Sequence, residues 1–362
     1  MSRFKAHAVG IAAAIALLGA AGSAAAQSSV SIYGVQDAGI TRVSNAGGGK
    51  LNLFDAGIMQ AGRLGFRGSE DLGGGMSAVF LLEQGILLDT GALGQGGLAF
   101  GRQSWVGLSD RKLGTLTLGR QYDFMFDALV GYINSSMSGG GYANNPLDND
   151  RMSGQRVNNS IKYQSPVWSG FSAGALVAFS EAANTVRGTG YSRSFGANYK
   201  QGPLSLGAAY TYLQNATLDV KSLVGSTTAV VAGGGYNRVY GVGGSYQITE
   251  TVVLHGTANN SRFEGTASAA GAEFRNYQAG VVFSPVAQWR FGVAGNATQL
   301  YDNHYRQLNL TADYLLSKRT DVYVQLIHQK ASGNGATANI FLLPGSSDAT
   351  QTAVRSGVRV RF

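Results

Sequence analysis

The 362-residue chain contains no cysteine and only five prolines. Without cysteine, a disulfide framework and thiolate metal sites are excluded. Charged residues make up 13% of the chain, against roughly 25% in a typical soluble domain. Beyond the N-terminal segment no apolar run reaches the length of about 18 residues that a membrane-spanning helix requires, so helical membrane spans are excluded as well.

Glycine, in contrast, is abundant, with 53 residues, and aromatic residues add 10%. Together with Val, Thr, Asn and Ser they favour pleated strands joined by turns, in one domain without a sharp composition boundary. The formal net charge of the chain is +8. The Lys and Arg residues are dispersed singly along the sequence. This dispersion argues against a nucleic-acid-binding surface, which needs clustered cations.

The N-terminus has the order of a secretory signal. Arg3 and Lys5 form a short positive region, an apolar stretch runs over residues 10–21, and Ala24–Ala26 supplies small residues for cleavage. The apolar stretch is short for a membrane anchor. We therefore predict a signal peptide over residues 1–26 and a mature domain over residues 27–362.

Apolar and polar residues alternate along much of the mature chain. In residues 357–362, valine and phenylalanine alternate with glycine and arginine, and in residues 63–67 two arginines share the face opposite Leu64 and Phe66. Residues 305–315 show the same period of two. Because successive strand side chains point to opposite faces, each segment is apolar on one face and polar on the other.

Turn signals divide these segments into about sixteen strands. Short turns, such as residues 111–114 and 165–170, alternate with longer stretches rich in Gly, Ser, Asn and Ala, such as residues 44–50 and 331–350. Short connections at one end and long loops at the other are typical of outer-membrane β-barrels, whose sheet must close because hydrocarbon cannot satisfy backbone groups. The longest stretch, residues 124–154, is of a length that is usually functional or disordered.

Aromatic residues near the predicted strand ends favour a membrane barrel over a soluble sandwich, because such residues form interfacial girdles. The candidates for the girdles are Tyr33, Trp105, Tyr163, Trp168, Tyr199, Tyr246, Trp289 and Phe362.

Several motifs resemble those of the Gram-negative general porins, especially the betaproteobacterial type. The matching segments are residues 29–34, 62–73, 100–108, 114–121 and 156–163. The resemblance implies an all-β fold, a 16-stranded antiparallel transmembrane barrel that forms a homotrimer in the outer membrane. It also implies that residues 124–154 fold into the pore as a constriction loop, and that the terminal Phe362 is read by the barrel assembly machinery.

The resemblance further implies a basic wall opposite that loop. By motif, Arg63 and Arg102 match its first two positions, Arg156 matches the third, and Arg120 joins them. The acidic candidates on the loop are Asp123 and Asp127. The chain departs from the enterobacterial pattern, because Val35 stands where a lysine is common and residues 135–145 replace a Pro-Glu-Phe-Gly-Gly run.

These features predict a water-filled channel for passive diffusion of ions and small hydrophilic solutes, without cofactor or metal. Arginines that face few carboxylates predict an anion preference. A channel specific for phosphate or organic anions is the alternative, and a purely structural or adhesive barrel is a weaker one. A barrel enzyme is disfavoured because His255, His304 and His328 lack a nucleophile motif. Asp148 and Asp150 resemble Ca²⁺ ligands but lack a full ligand loop.

Overall fold

The structure, a computed structural model, describes residues 28–362 apart from residues 182, 184, 186 and 227. The predicted signal peptide, residues 1–26, lies outside the described residues. The described chain forms a closed antiparallel barrel and a separate two-stranded hairpin. No helix in this part of the chain is long and apolar enough to cross a membrane.

The barrel has sixteen strand positions, because β2 and β3 together make one interrupted strand that pairs along β1. The strands of the described chain are β1 Ser29–Ala46, β2 Gly49–Ala56, β3 Arg63–Gly73, β4 Met76–Gly85, β5 Gln103–Asp110, β6 Gly114–Tyr122, β7 Arg156–Gln164, β8 Phe171–Ala178, β9 Ser192–Gln201, β10 Leu204–Gln214, β11 Thr217–Asp219, β12 Val231–Gly233, β13 Tyr236–Gln247, β14 Val252–Phe263, β15 Ala272–Phe283, β16 Trp289–Leu300, β17 Asn303–Leu315, β18 Thr320–Ser332 and β19 Thr350–Arg361. Strands β11 and β12 form the hairpin, which lies outside the barrel sheet.

The barrel closes between the first and last strands. Strand β1 pairs with β19 from Val35 opposite Arg361 to Val43 opposite Ala353. Beyond this ladder, the Gly34 and Phe362 backbones exchange two hydrogen bonds of 2.9 and 3.1 Å. The Phe362 ring lies where a side chain at position 34 would stand, since a Cβ there would come 2.3 Å from Cζ of Phe362. Only glycine at position 34 leaves this terminal ring its place.

The predicted alternation is confirmed. Along β15, Asn276 and Gln278 are buried on the inner face, whereas Tyr277 and Phe283 are exposed on the outer face. The valines of β19 are likewise exposed while Arg359 is buried. Since strand side chains alternate strictly, the barrel has an apolar outside and a polar lumen.

The two ends of the barrel differ as predicted, except that two connections at the long-loop end are short, one of them the turn at residues 301–302. Short turns such as residues 111–113 and 202–203 close one end, and longer connections such as 86–102 and 333–349 close the other. The prediction of a long loop over residues 44–50 is wrong, because β1 and β2 run on into a tight hairpin around Gly47 and Gly48. Both glycines have positive φ, which suits the turn of a two-residue hairpin.

The prediction of aromatic girdles holds for Trp168, Tyr246 and Trp289, which are exposed on the outer wall. It is wrong for Tyr33. This side chain lies on the inner face, where its hydroxyl donates a 2.8 Å hydrogen bond to Glu83. Val30 and Ile32 of the same strand are exposed on the outer face, so strict alternation turns Tyr33 inward.

A buried ionic cluster on the lumen side links the strands at which the barrel closes. Arg355 on β19 is fully buried and pairs with Asp37 of β1 and Asp55 of β2. Its Nε also donates to the Tyr323 hydroxyl at 2.9 Å. Because Arg355 reaches carboxylates on two neighbouring strands, the buried positive and negative charges of the cluster compensate each other.

Candidate pore constriction

The long connection between β6 and β7, residues 123–155, lies inside the barrel and is called here the constriction segment. Besides a short turn α1 at Gly94–Gly97, the described chain has one α-helix, α2 at Phe124–Leu129, which opens this segment. Asp123 caps α2, because its side chain accepts a 3.0 Å bond from the Met125 amide. The helix buries one face against inner-wall side chains, among them Leu176 and Val239.

Two wall glycines make room for the first residue of α2. The Phe124 ring lies so close to the wall that a Cβ at Gly174 would come 2.2 Å, and one at Gly196 2.5 Å, from a ring carbon. Both glycines are in barrel strands, β8 and β9. The absence of two side chains from the wall therefore allows the helix to dock inside it.

The rest of the segment is held by amide side chains of the opposite strands. Gln278 accepts from the Asn134 amide at 2.8 Å. Asn296 and Gln307 donate to main-chain carbonyls of the segment, each at 2.9 Å, and Ser261 donates to the Asn149 carbonyl at 2.6 Å. Because the buried amides of wall and segment satisfy each other, the segment has a defined path along the wall.

The remaining inner wall carries a group of basic residues, called here the arginine cluster: Arg63, Arg102 and Arg156. Arg102 donates to Glu83 at 2.6 Å, and Nη1 of Arg63 lies 3.8 Å from the same carboxylate. The Tyr122 hydroxyl accepts from Arg102 at 2.8 Å and from Arg156 at 3.0 Å. One carboxylate and one phenol thus connect residues that are far apart in the sequence.

Arg156 also lies 4.8 Å above the centre of the Tyr122 ring, and that ring packs at 4.3 Å against Phe126 of α2. Arg120 is bound differently. Its guanidinium donates to the Gly101 carbonyl at 2.8 Å and to Asn158 at 2.5 Å. Arg120 is therefore fixed at the edge of the cluster by neutral acceptors.

The arginine cluster has an excess of positive charge. Three arginines and one glutamate give 3 − 1 = +2. The guanidinium groups are partly desolvated, since Arg102 is buried and Arg63 and Arg156 are half-buried. In such surroundings charges act over longer distances than in water. The wall thus presents a concentrated positive field to the lumen.

The predicted acidic residues of the loop each form an ion pair with a cation of the chain. Asp123 is buried and forms an ion pair of 2.5 Å with Arg151. Asp127 pairs with Lys162 of β7, whose ammonium also donates to the Tyr122 carbonyl at 3.0 Å. Asp123 is thus buried and compensated within the segment, whereas Asp127 stays exposed and meets a cation of the barrel wall.

Asp148 and Asp150 are buried in the same segment and satisfied by protein donors. Asp148 accepts from the Ser153 amide at 2.8 Å, and Asp150 accepts from Asn145 at 2.6 Å. Within the described ranges, no group of three or more acidic or histidine side chains is arranged to hold a metal ion. Burial and the neighbouring Asp150 raise the pKa of Asp148 to about 6.

This raised pKa predicts a pH-dependent stability. Between pH 3.8 and about 6 the folded chain keeps a proton on Asp148 that the unfolded chain has lost. The free energy of unfolding therefore falls as the pH rises through this interval and levels off above it. We expect Asp148→Asn to flatten this profile and to raise the thermal unfolding temperature by several degrees at pH 7.5. The exposed Asp302→Asn serves as control, and equal profiles for both variants would contradict the role of Asp148.

The carboxylate of Glu83 lowers the net positive charge of the arginine cluster. Glu83→Gln raises the net charge there from +2 to +3, and we expect a severalfold higher anion-to-cation permeability ratio. Reversal potentials across a planar bilayer with a KCl gradient measure it. Glu70→Gln, near the turn that follows β3, removes the same charge far from the cluster and should leave the ratio unchanged. An unaltered ratio in Glu83→Gln would show that this carboxylate does not face the ion path.

The sequence prediction did not select Glu83 and Tyr122, although they join the arginines. A signal for Glu83 was present, because it is the one charged residue in the otherwise apolar β4, and a charge in an apolar strand needs a partner. Tyr122 carried no such signal. Its role follows from the barrel, which brings residues 102 and 156 to the same hydroxyl.

A closed barrel with an apolar outside, a polar lumen and an inward-folded segment defines a transmembrane pore. The chain belongs to the Gram-negative porin family, which matches residues 12–334. Such proteins are channels of the outer membrane, and this chain is one of them.

Relatives and solved structures agree with this assignment. An outer membrane porin protein of Bordetella pertussis is 28% identical, with 97% of this chain and 98% of the relative covered. Outer membrane porin protein 32 of Delftia acidovorans is 30% identical, covering 96% and 98%. The solved structure of an anion-selective porin from Comamonas acidovorans is similar with a TM-score of 0.78 and 25% identity, covering 93% of this chain and all of that one.

Proposed function

We propose that this porin admits small hydrophilic solutes by passive diffusion and favours anions, and that Arg63, Arg102 and Arg156 set this preference. The observation that carries the proposal is the net charge of +2 in the arginine cluster, while the loop carboxylates Asp123 and Asp127 are paired with cations. Charges that line a narrow pore select ions by sign, and low-dielectric walls concentrate their field.

The similarity to an anion-selective porin supports the same preference. Arg120 adds positive charge at the edge of the cluster, where it raises the local concentration of anions without closing the path. We assign no bound cofactor to the process, because diffusion through the lumen needs only water, the wall charges and a gradient.

The test is the reversal potential of single channels in a planar bilayer with a tenfold KCl gradient. We expect a potential of the sign that anion flux produces, and a weaker preference at high salt, where the Debye length shrinks to about 3 Å at 1 M. A potential of the cation-selective sign at low salt would refute the proposal.

We further propose that residues 1–26 are removed on export, that Phe362 is read by the barrel assembly machinery and that the mature chain forms a homotrimer. A related solved structure, OmpT of Vibrio cholerae, is described in a trimer form. Mass spectrometry of the purified protein should give an N-terminus at residue 27, and cross-linking should give three chains. Removal of Phe362 should lower the yield of folded barrel in cells.

A further inference from the structure

A cavity of about 470 Å³ lies in the lumen between the barrel wall and the constriction segment. We call it the inner pocket. Strands β9, β10 and β13 form its wall side, and residues 127–132 of the constriction segment form the opposite side. The short turn at Gly202 and Pro203 belongs to its rim. Because short turns mark the periplasmic end of an outer-membrane barrel, the pocket lies on the periplasmic side of the segment.

The strand register brings three polar side chains of the wall into one row. Lys200 on β9 stands opposite Ser205 on β10, and Ser205 stands opposite Ser245 on β13. Ser205 faces the lumen, since its hydroxyl shares a 2.7 Å hydrogen bond with the Tyr132 hydroxyl of the constriction segment. Directly opposed side chains of neighbouring strands share a face, so Lys200 and Ser245 face the lumen too. With neighbouring strands about 4.8 Å apart, the row spans about 10 Å of the wall.

Two amide side chains extend this row along the same inner face. Asn198 lies two residues before Lys200 and donates a 2.8 Å hydrogen bond to the Ala128 carbonyl of α2. Gln247 lies two residues after Ser245 and also lines the pocket. Among the described residues, no side-chain hydrogen bond or ion pair engages Lys200, Ser245 or Gln247. The pocket thus holds several polar groups whose bonding capacity is left for a solute.

Asp127 supplies a hydrogen-bond acceptor on the opposite side of the pocket. Its Oδ2 pairs with Lys162 of β7, and its side chain is 34% exposed, so that solutes can reach it. Its Oδ1 accepts no hydrogen bond from any described residue. Because Lys162 already compensates the carboxylate, the remaining oxygen suits a hydroxyl donor better than a second cation.

The charge of the inner pocket limits the class of solute. Lys200, Lys162 and Asp127 give 2 − 1 = +1, and Lys200 is the member without a carboxylate partner. A lysine ammonium is a compact point charge that binds one anionic group. A phosphate ester carries close to two negative charges at neutral pH, of which this pocket compensates only one. A single carboxylate matches it.

The rest of the lining is apolar and suits a carbon skeleton. Val130, Leu204 and Val253 are half-buried on this side of the pocket. Pockets that bind small molecules have volumes of about 300–1,000 Å³ and combine apolar surface with a few convergent polar groups. The inner pocket has this size and this combination.

We propose that the inner pocket binds monocarboxylates that carry several hydroxyl groups, the class of sugar acids, as they pass through the lumen. Lys200 pairs with the carboxylate, while Asp127, Ser245 and Gln247 bond to the hydroxyl groups. The proposal rests on the anion-favouring function and deepens it, since the arginine cluster admits anions and the inner pocket retains those with hydroxyl groups. Conduction needs sites that bind strongly enough to enter and weakly enough to leave, and a pocket open to the lumen meets this need.

The experiment uses single channels of the full mature protein in a planar bilayer with KCl on both sides, and glucuronate as the probe. A bound glucuronate obstructs the path of chloride, so we expect a saturable block of the current. In Lys200→Gln the concentration for half block should rise at least fivefold. Lys112→Gln removes a cation from an exposed turn at the same end of the barrel and should be blocked as the wild type is.

Two further probes separate the carboxylate from the hydroxyl groups. Glucose lacks the carboxylate and propionate lacks the hydroxyl groups, so each should need at least a fivefold higher concentration than glucuronate for half block. Ser245→Ala with Gln247→Ala should weaken the block by glucuronate and leave the block by propionate unchanged. Equal block of the wild type and Lys200→Gln, or equal block by glucuronate and propionate, would overturn the proposal.

The reversal potential of the same channels distinguishes this proposal from the function on which it rests. Lys200→Gln should keep the sign of the potential, because Arg63, Arg102 and Arg156 remain in place. An anion-selective wild type that glucuronate does not block would overturn the inner pocket alone. A cation-selective wild type would overturn the proposed function itself.

Discussion

Simultaneous replacement of Arg63, Arg102 and Arg156 by glutamine is expected to convert the pore from anion-favouring to cation-favouring. The net charge of the arginine cluster changes from +2 to −1, because Glu83 remains without its cationic partners. Since the sign of the charge that lines a narrow pore sets the sign of its selectivity, the reversal potential in a KCl gradient should change sign.

A matched control removes three cations outside the lumen's narrow part, by Lys112→Gln, Lys318→Gln and Arg319→Gln. These side chains are exposed in turns, so the sign of the reversal potential should stay. Arg102→Lys keeps the positive charge and should therefore keep the anion preference. It lacks the planar guanidinium that reaches both Glu83 and Tyr122, so it separates charge from geometry. A triple variant that forms folded channels and still favours anions would show that other residues set the selectivity.

Replacement of residues 124–154 by a two-residue Asn-Gly turn is expected to raise the single-channel conductance severalfold and to admit larger neutral solutes. The strands can still close, because Tyr122 and Arg156 already stand opposite each other in the β6–β7 ladder. Loss of the segment opens the lumen along the wall that α2 covers. Conductance measurements and liposome swelling with sugars of increasing size test both effects.

The control applies the same change to a loop outside the lumen's narrow part. Residues 264–271 connect β14 to β15 and are largely exposed, and the flanking Phe263 and Ala272 also stand opposite each other. An Asn-Gly turn in their place should leave the conductance nearly unchanged. If both replacements raise the conductance equally, the segment 123–155 does not determine the narrowest cross-section.

The sequence predicted the barrel because its signal is local. The alternation in residues 305–315 is visible without any neighbour, and the structure places Leu308 and Leu310 outside and Gln307 and Asn309 inside. The prediction for Tyr33 failed because it used only the position near a strand end. Val30 and Ile32 are exposed on the outer face, so the same alternation turns Tyr33 into the lumen. Only its partner there, Glu83, fifty positions away in the chain, could not be seen in the local pattern.

The arginine cluster shows the same division. The motifs around Arg63, Arg102 and Arg156 selected the residues. That Glu83 and Tyr122 join them became visible only when strands β3 to β7 were brought side by side, although Glu83 already stood out as a charge in β4. For Asp123 and Asp127 the residue type suggested a carboxylate facing the pore. The structure adds their cationic partners, Arg151 and Lys162, which no local pattern indicated.

The sequence by itself determined that this chain is a closed membrane barrel with a polar lumen, because a period of two and the distribution of turns are properties of consecutive residues. Only the tertiary structure decided which charges remain unpaired in the lumen and which polar side chains share the inner pocket. Ion pairs such as Arg102–Glu83 and the row of Lys200, Ser205 and Ser245 depend on strand register. Register is set by closure of the whole sheet, since each strand's position follows from all the others.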